Sequence, residues 1–148
     1  MSKVIRHFRG EYAFLSNFFP APIQWDGRLW PSSEHAYQAM KTKNVEEQEA
    51  IRAAPTAGIA KVYGRTVEKI RDGWDGYKVA FMREIVRAKF NQHPELMEKL
   101  LATGDDVLVE GNDWGDRFWG KVKRENGLWM GENWLGKILM EVREEAKG

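Results

Sequence analysis

"PIQWDGRLWPSSEHAYQAMK", residues 22–41, changes its period halfway along. Its first part carries Asp26-Gly27 between apolar flanks, the pattern of a two-residue turn joining antiparallel strands. Pro31 then interrupts the extended chain, and either Ser32 or Ser33 can cap a helix. The residues that follow, through "EHAYQAMKTK", are mostly good helix formers, and Glu34 falls in the first turn, where the helix dipole favours an acid. A hairpin running directly into a helix predicts an α+β chain.

Outward from that stretch, "KVIRHF" near the start alternates weakly and predicts a strand. Gly10 breaks it ahead of the aromatic segment "EYAFLSNFFPAP". On the other side, "EEQEAIRAA" predicts a second helix stopping at Pro55. "TAGIAKVYG" predicts a third, with Gly64 as its left-handed C-cap. The longest helix is expected over "YKVAFMREIVRAKF", with Val79, Met82, Val86 and Phe90 as one stripe widened by Phe81, Ile85 and Ala88. "HPELMEKLLATG" opens with Pro94 in a first helical turn and stops at Gly104, and "VLVEG" predicts a short strand. Residues 111–133 show no clear period, which favours a binding or catalytic loop over a plain connector. "NWLGKILMEVREEA" closes the chain with Leu135, Ile138, Leu139 and Val142 at helical spacing. The expected architecture is a predominantly helical α+β single domain, residues 1–148. About six helices surround a small antiparallel β element made from the N-terminal half and the strand at 107–110.

Composition narrows the function classes. The 148 residues are 43% hydrophobic, enough for one contiguous core. The 23 Lys and Arg against 22 Asp and Glu leave a net charge of +1, so a polyanion would have to be held by a local patch. There is no cysteine, which excludes disulfides, thiolate catalysis and cysteine-based zinc sites. The opening "MSKVIRHFRG" lacks the apolar run of a signal peptide, and no segment has the length of a membrane span. A cytoplasmic location is expected, with no membrane partner.

Two clusters carry candidate chemistry. On a helix of about 100° per residue, Glu34 and Lys41 fall within about 20° of each other, with Gln38 beside them and Tyr37 adjoining. Ala36, Ala39 and Met40 take the opposite side. A carboxylate, a phenol, an amide and an amine on one face suit proton transfer, and equally suit an ordinary solvated surface. The second cluster is "VEGNDWGDRFWG", where Glu110, Asp113, Asp116 and Arg117 sit among Trp114, Trp119 and glycines. Acids beside indoles can be desolvated and shifted in pKa, although a Gly/Asp turn with core tryptophans has the same look. The seven tryptophans, Trp74 in "RDGWDGY" among them, can fill a core or stack a flat ring. His35 lies off both helix faces, and neither His7 nor His93 is spaced to join it at a metal, so no metal and no cofactor is expected. G-x-S-x-G, Walker A and dinucleotide-binding motifs are absent.

These segments, taken in order, resemble the NADAR family, whose members are also called YbiA-like proteins. The resemblance is carried by "FRGEYAFLSNFFPAPIQWDGRLWPSSEHAYQAMK", "AKVYGR", "MREIVRAKF", "LLATGDDVLVEGN", "DRFWG" and "GENWLGKILMEVR", from Phe8 to Arg143. It implies an enzyme that hydrolyses the N-glycosidic bond of a phosphorylated riboside, with two associated activities. The leading expectation is removal of ADP-ribose from guanine bases, on DNA in some members and with a toxin as partner. The other hydrolyses early ribosylamine phosphate intermediates of the riboflavin pathway. A non-catalytic ADP-ribose or nucleotide binding module is the alternative outside enzymology.

The resemblance places the essential acid at Glu34 and its lysine at Lys41. It also places Asn17, Trp74, Asp116, Trp119, Gly120 and Asn133 in or near the site, with Asp116 expected among the catalytic groups and Tyr37 and Gln38 expected to contact substrate. Trp74 and Trp119 are expected to stack the base or bracket the ribose, and Asn17 and Asn133 to contact ligand. Arg9 is expected at the phosphate, on its charge and loop position. Lys41 is expected either to donate a hydrogen bond or to attack the anomeric carbon as a neutral amine. After Gly120 the chain departs from the family with "KVKRENGLWM", whose residues 121–124 read as a basic edge or a solvated hairpin tip.

Overall fold

In the computed structural model, which describes residues 2–148, the chain folds as a predominantly helical α+β protein. In order it runs β1 (Val4–Ile5), a short 3-10 helix (Gly10–Leu15), β2 (Ile23–Trp25), β3 (Arg28–Trp30), α1 (Ser33–Ala39), α2 (Val45–Arg52), α3 (Ala57–Arg65), α4 (Trp74–Gln92) and α5 (Pro94–Ala102). It continues through β4 (Val107–Leu108), β5 (Gly111–Asn112), β6 (Lys121–Lys123), β7 (Trp129–Met130) and α6 (Trp134–Lys147). Two compact units result, one spanning Asn17–His93 and the other made from the segments on either side of it.

In the Asn17–His93 unit, β2 and β3 pair antiparallel, with Trp25 opposite Arg28. Asp26 (φ 50°) and Gly27 (φ 76°) both take left-handed conformations, as the Asp-Gly turn requires. Trp30 is fully buried and donates its indole N–H to the Trp25 carbonyl at 2.7 Å, fixing the hairpin's exit into α1. Ser32 is the cap: its Oγ accepts the His35 N–H at 3.2 Å. The His35 ring, 2% exposed, lies between Ser32 Oγ (2.7 Å) and the Ala54 carbonyl (2.9 Å). A carbonyl can only accept, so Nε2 carries the proton and Nδ1 accepts from Ser32. Burial holds the His35 pKa below its ordinary 6.5 despite the bond to Ala54. His35 is thus a neutral strut between α1 and the end of α2.

Two local expectations differ from what forms. The first helix stops at Ala39 instead of running through Lys43, because Arg71 takes the carbonyls that would continue it. Its backbone N–H binds the Lys41 carbonyl, and its Nε donates to the Met40 carbonyl at 2.9 Å. Thr42 Oγ1 meanwhile accepts from Asn44 N–H at 3.0 Å, turning the chain into α2. Gly64 lies inside α3 instead of capping it, with no positive φ. A Cβ there would overlap the Gln38 side chain, so glycine is required for close approach. On α4, Met82, Ile85, Val86 and Phe90 are buried as expected, Val79, Phe81 and Ala88 are only half-buried, and Lys89 is buried at 1% exposure.

In the other unit β1 and β4 pair in parallel, Val4 with Val107 and Ile5 with Leu108. The 107–108 strand therefore pairs with β1 and not with the antiparallel hairpin it was expected to join. Residues 111–133, expected as a loop, contain a three-stranded sheet in which β6 lies between a parallel β5 and an antiparallel β7. The strands are only two or three residues long, too short for alternation to register as a pattern. Leu135, Ile138, Leu139 and Val142 are all buried on α6, with Leu96 and Leu100 of α5 buried in the same unit. Among the described residues no helix is long and apolar enough to cross a membrane.

Gly64→Ala should reveal which role the glycine plays. Helix propensity alone would gain about 1 kcal/mol, whereas overlap with Gln38 should cost about 1–3 kcal/mol net. Urea denaturation decides by the sign, and a stabilised variant would contradict the close-approach reading.

Candidate active site

Every residue of α1 is buried, Glu34 at 7% exposure and Gln38 at 3%. A buried carboxylate needs hydrogen bonds, and Gln38, one turn on, supplies one: its Nε2 donates to Glu34 Oε2 at 2.6 Å. An ionised carboxylate only accepts, so the amide must face it with nitrogen, which turns Gln38 Oε1 toward α3. There Oε1 makes no protein hydrogen bond, and neither does the buried Ser33 Oγ next to Glu34. Buried polar atoms are nearly always satisfied in folded proteins, and those that are not cluster at sites built for something else. Asn17 belongs to this arrangement through its backbone, its carbonyl accepting the Glu34 N–H at 3.1 Å. Its side-chain Nδ2 lies 3.2 Å from the Met82 sulfur.

Tyr37 and Trp74 are brought together, their rings 5.5 Å apart, and Phe81 stacks on Trp74 at 5.8 Å. Trp74 is 8% exposed, so these rings form a wall with little indole face left over. Lys41 follows the end of α1. Burial is the largest influence on it and lowers its pKa from 10.5. Glu34 opposes that shift, while Arg65, Lys61 and Lys78 add to it by repulsion. Those three cations were not singled out in the sequence, although Lys61 and Arg65 sit at i and i+4 of one helix and so share a face.

The other unit holds the remaining candidates. Asp116 Oδ1 accepts the backbone N–H groups of Phe118 (3.0 Å) and Trp119 (2.9 Å), and Asn112 binds both the N–H and the carbonyl of Asp116. The turn so formed aims successive carbonyls at the start of α6: Phe118 accepts from Trp134 N–H, Trp119 from Leu135 N–H, and Gly120 from Asn133 N–H. Orphan donors at a helix N-terminus are thus satisfied by a loop instead of a side-chain cap. Gly120 is buried with no room for a Cβ against the Glu110 carbonyl. Asn133, left-handed at φ 56°, ties β4 to α6 by donating to the Leu108 carbonyl (2.9 Å) and accepting from Glu110 N–H (3.0 Å). Asp116, Gly120 and Asn133 therefore have framework duties that residue type alone did not reveal. Trp119 is half-buried, edge-on to Phe118 at 4.8 Å, and Arg9 is exposed at the mouth of a cleft. The departing segment "KVKRENGLWM" is the β6–β7 hairpin, closed by Arg124 N–H to the Leu128 carbonyl at 2.7 Å. Among the described residues no group of three or more acidic or histidine side chains gathers as a metal cage.

Comparison with known proteins fits this geometry. The NADAR domain model matches residues 5–147. The N-glycosidase YbiA of Escherichia coli is 41% identical over 136 residues, covering 91% of this chain and 82% of that protein. A riboflavin biosynthesis protein of Vibrio vulnificus is 44% identical over 137 residues, 92% of this chain but only 36% of its own length. The NMR structure of E. coli YbiA superposes with a TM-score of 0.83 at 39% identity, over 99% of this chain and 87% of that one.

The charges around Lys41 predict opposite shifts for two variants. Removing a cation with Arg65→Gln relieves repulsion and should raise the Lys41 pKa toward 10.5, while Glu34→Gln removes the anion that holds the proton and should lower it further. The carbon-13 shift of Lys41 Cε followed against pH reads both, and shifts of the same sign in the two variants would contradict the arrangement.

Proposed function

The chain belongs to the NADAR family, and on that premise we propose that it is an N-glycosidase hydrolysing the ribosyl C–N bond of a phosphorylated riboside. The reading rests above all on one feature: a buried carboxylate, Glu34, with an adjacent amine, Lys41, whose charged form is disfavoured by burial and by three cations. Cleaving a ribosyl C–N bond develops positive charge at C1 and negative charge on the departing nitrogen. An anion beside the sugar and a group able to move protons are what that transition state needs.

Lys41 acts as nucleophile in this scheme. Its Nζ bonds to C1 as the bond from C1 to the base nitrogen breaks, and the proton lost from the attacking amine passes through Glu34 to the leaving nitrogen. A second proton moves from Nζ to the ring oxygen as the ribose opens to an imine. Water then adds to C1, Nζ departs with a proton, and the aldehyde form of the ribose is released. Glu34 takes and returns the proton at each step, and Gln38 fixes the carboxylate's orientation.

The Vibrio relative's name favours a ribosylamine phosphate of the riboflavin pathway as substrate. Guanine-linked ADP-ribose, free or carried on DNA, is the second reading, supported by the family resemblance. Wild type and Glu34→Gln assayed side by side on both substrates test the proposal. The expected result is turnover of at least one by wild type and a drop of about a thousandfold in kcat for Glu34→Gln, with the circular dichroism spectrum unchanged. Retained turnover in Glu34→Gln would remove the mechanism, and tight binding of ADP-ribose without product would replace the enzyme by a binding module.

A further inference from the structure

A cleft of about 390 Å³ opens on the surface of the unit that carries the β5–β6–β7 sheet. It uses neither Glu34 nor Lys41, and its inner wall is the Trp129 indole. That ring is held in place from three sides: the Arg6 guanidinium lies 5.9 Å over it, the His7 ring meets it edge-on at 5.9 Å, and Gly111 packs against it where a Cβ would come within 3.2 Å. Trp114, 59% exposed, lines the same cleft, in a turn that Gly115 (φ 88°) completes. An indole this exposed beside a cleft is costly to leave in water and characteristic of a surface that receives another flat, apolar face.

The charges at the rim have a sign. Arg9 and Lys123 line the cleft together with the single acid Asp113. A second, wider hollow of about 740 Å³ shares Val122 and Lys123 with it and adds Arg117 and Arg124 against Glu125. Four basic side chains thus face two acidic ones along β6, in a chain whose total charge is only +1. Stacking rings flanked by arginine and lysine match a ligand that joins a planar ring to a phosphate. The smaller cleft also falls in the volume range of small-ligand sites.

We propose that this cleft binds a nucleotide unit, its base against Trp114 and Trp129 and its phosphate at Arg9 and Lys123. The same chemistry is offered by a free mononucleotide and by a single strand running on toward Arg117 and Arg124. Nothing in the proposal depends on glycosidase activity, so the two stand or fall separately.

Indole N–H signals in nitrogen-15 NMR spectra report the site directly, with Trp114 and Trp129 identified from Trp114→Phe and Trp129→Phe. AMP should move both signals, while adenosine and ribose 5-phosphate, each lacking one half of the recognition, should bind at least about tenfold more weakly. Arg9→Ala with Lys123→Ala should weaken AMP about tenfold. The oligonucleotide dT10 separates the sources. Affinity at least about tenfold above AMP that falls steeply with salt supports a strand, and affinity no better than AMP supports a free nucleotide. The proposal is overturned if neither AMP nor dT10 moves these signals up to about 10 mM. Equal binding of ribose 5-phosphate and AMP, or AMP binding indifferent to loss of Arg9 and Lys123, would also overturn it.

Discussion

The hydrogen bond from Gln38 to Glu34, 2.6 Å long and buried, is the interaction on which the candidate site depends. It exists because Gly64 has no side chain: α3 lies so close to α1 that a Cβ would occupy the space of the Gln38 amide. That closeness removes water from Glu34, and desolvating a carboxylate without a donor would drive it to take up a proton. One glycine on a neighbouring helix therefore controls both the burial of the acid and the position of the amide that makes burial tolerable.

The same packing disfavours the charged form of Lys41. α3 presents Lys61 and Arg65 toward Lys41, and the second turn of α4 adds Lys78. Burial and three like charges lower the Lys41 pKa, and Glu34 opposes them. The balance suits a group that must be neutral to attack and must regain a proton to leave. Arg71, through the Met40 and Lys41 carbonyls, fixes the backbone there and prevents α1 from carrying Lys41 round another turn. The result is a carboxyl group on a rigid helix and an amine on a pinned turn, a division that suits the roles proposed for them.

Much of this architecture was legible in the residues. Asp26-Gly27 specified its turn, the Ser32-Ser33 pair a cap that the structure assigns to Ser32, and Leu135 to Val142 their buried stripe, because each signal is local or strictly periodic. What escaped was set by residues distant in sequence. The early end of α1 depends on Arg71, and Gly64's place inside α3 on Gln38. The strands at 111–112 and 129–130 are too short for any period to show. At the site, Glu34 and Lys41 stood out by type and spacing, yet their burial and the cations around Lys41 come from tertiary packing. Asp116 was expected among the catalytic groups and Gly120 and Asn133 at the ligand, and their polar atoms also build the clasp on α6. Their demands fall on backbone groups, which sequence does not display.

In the proposed mechanism Lys41 reacts as a neutral amine beside the Glu34 carboxyl group. Sodium borohydride added during turnover reduces an imine to a stable secondary amine, so peptide mass spectrometry tests the claim directly. A reduced ribosyl adduct is expected on Lys41 in wild type and none in Lys41→Ala, with turnover abolished in that variant. An adduct absent from wild type during active turnover, together with full activity in Lys41→Ala, would contradict it.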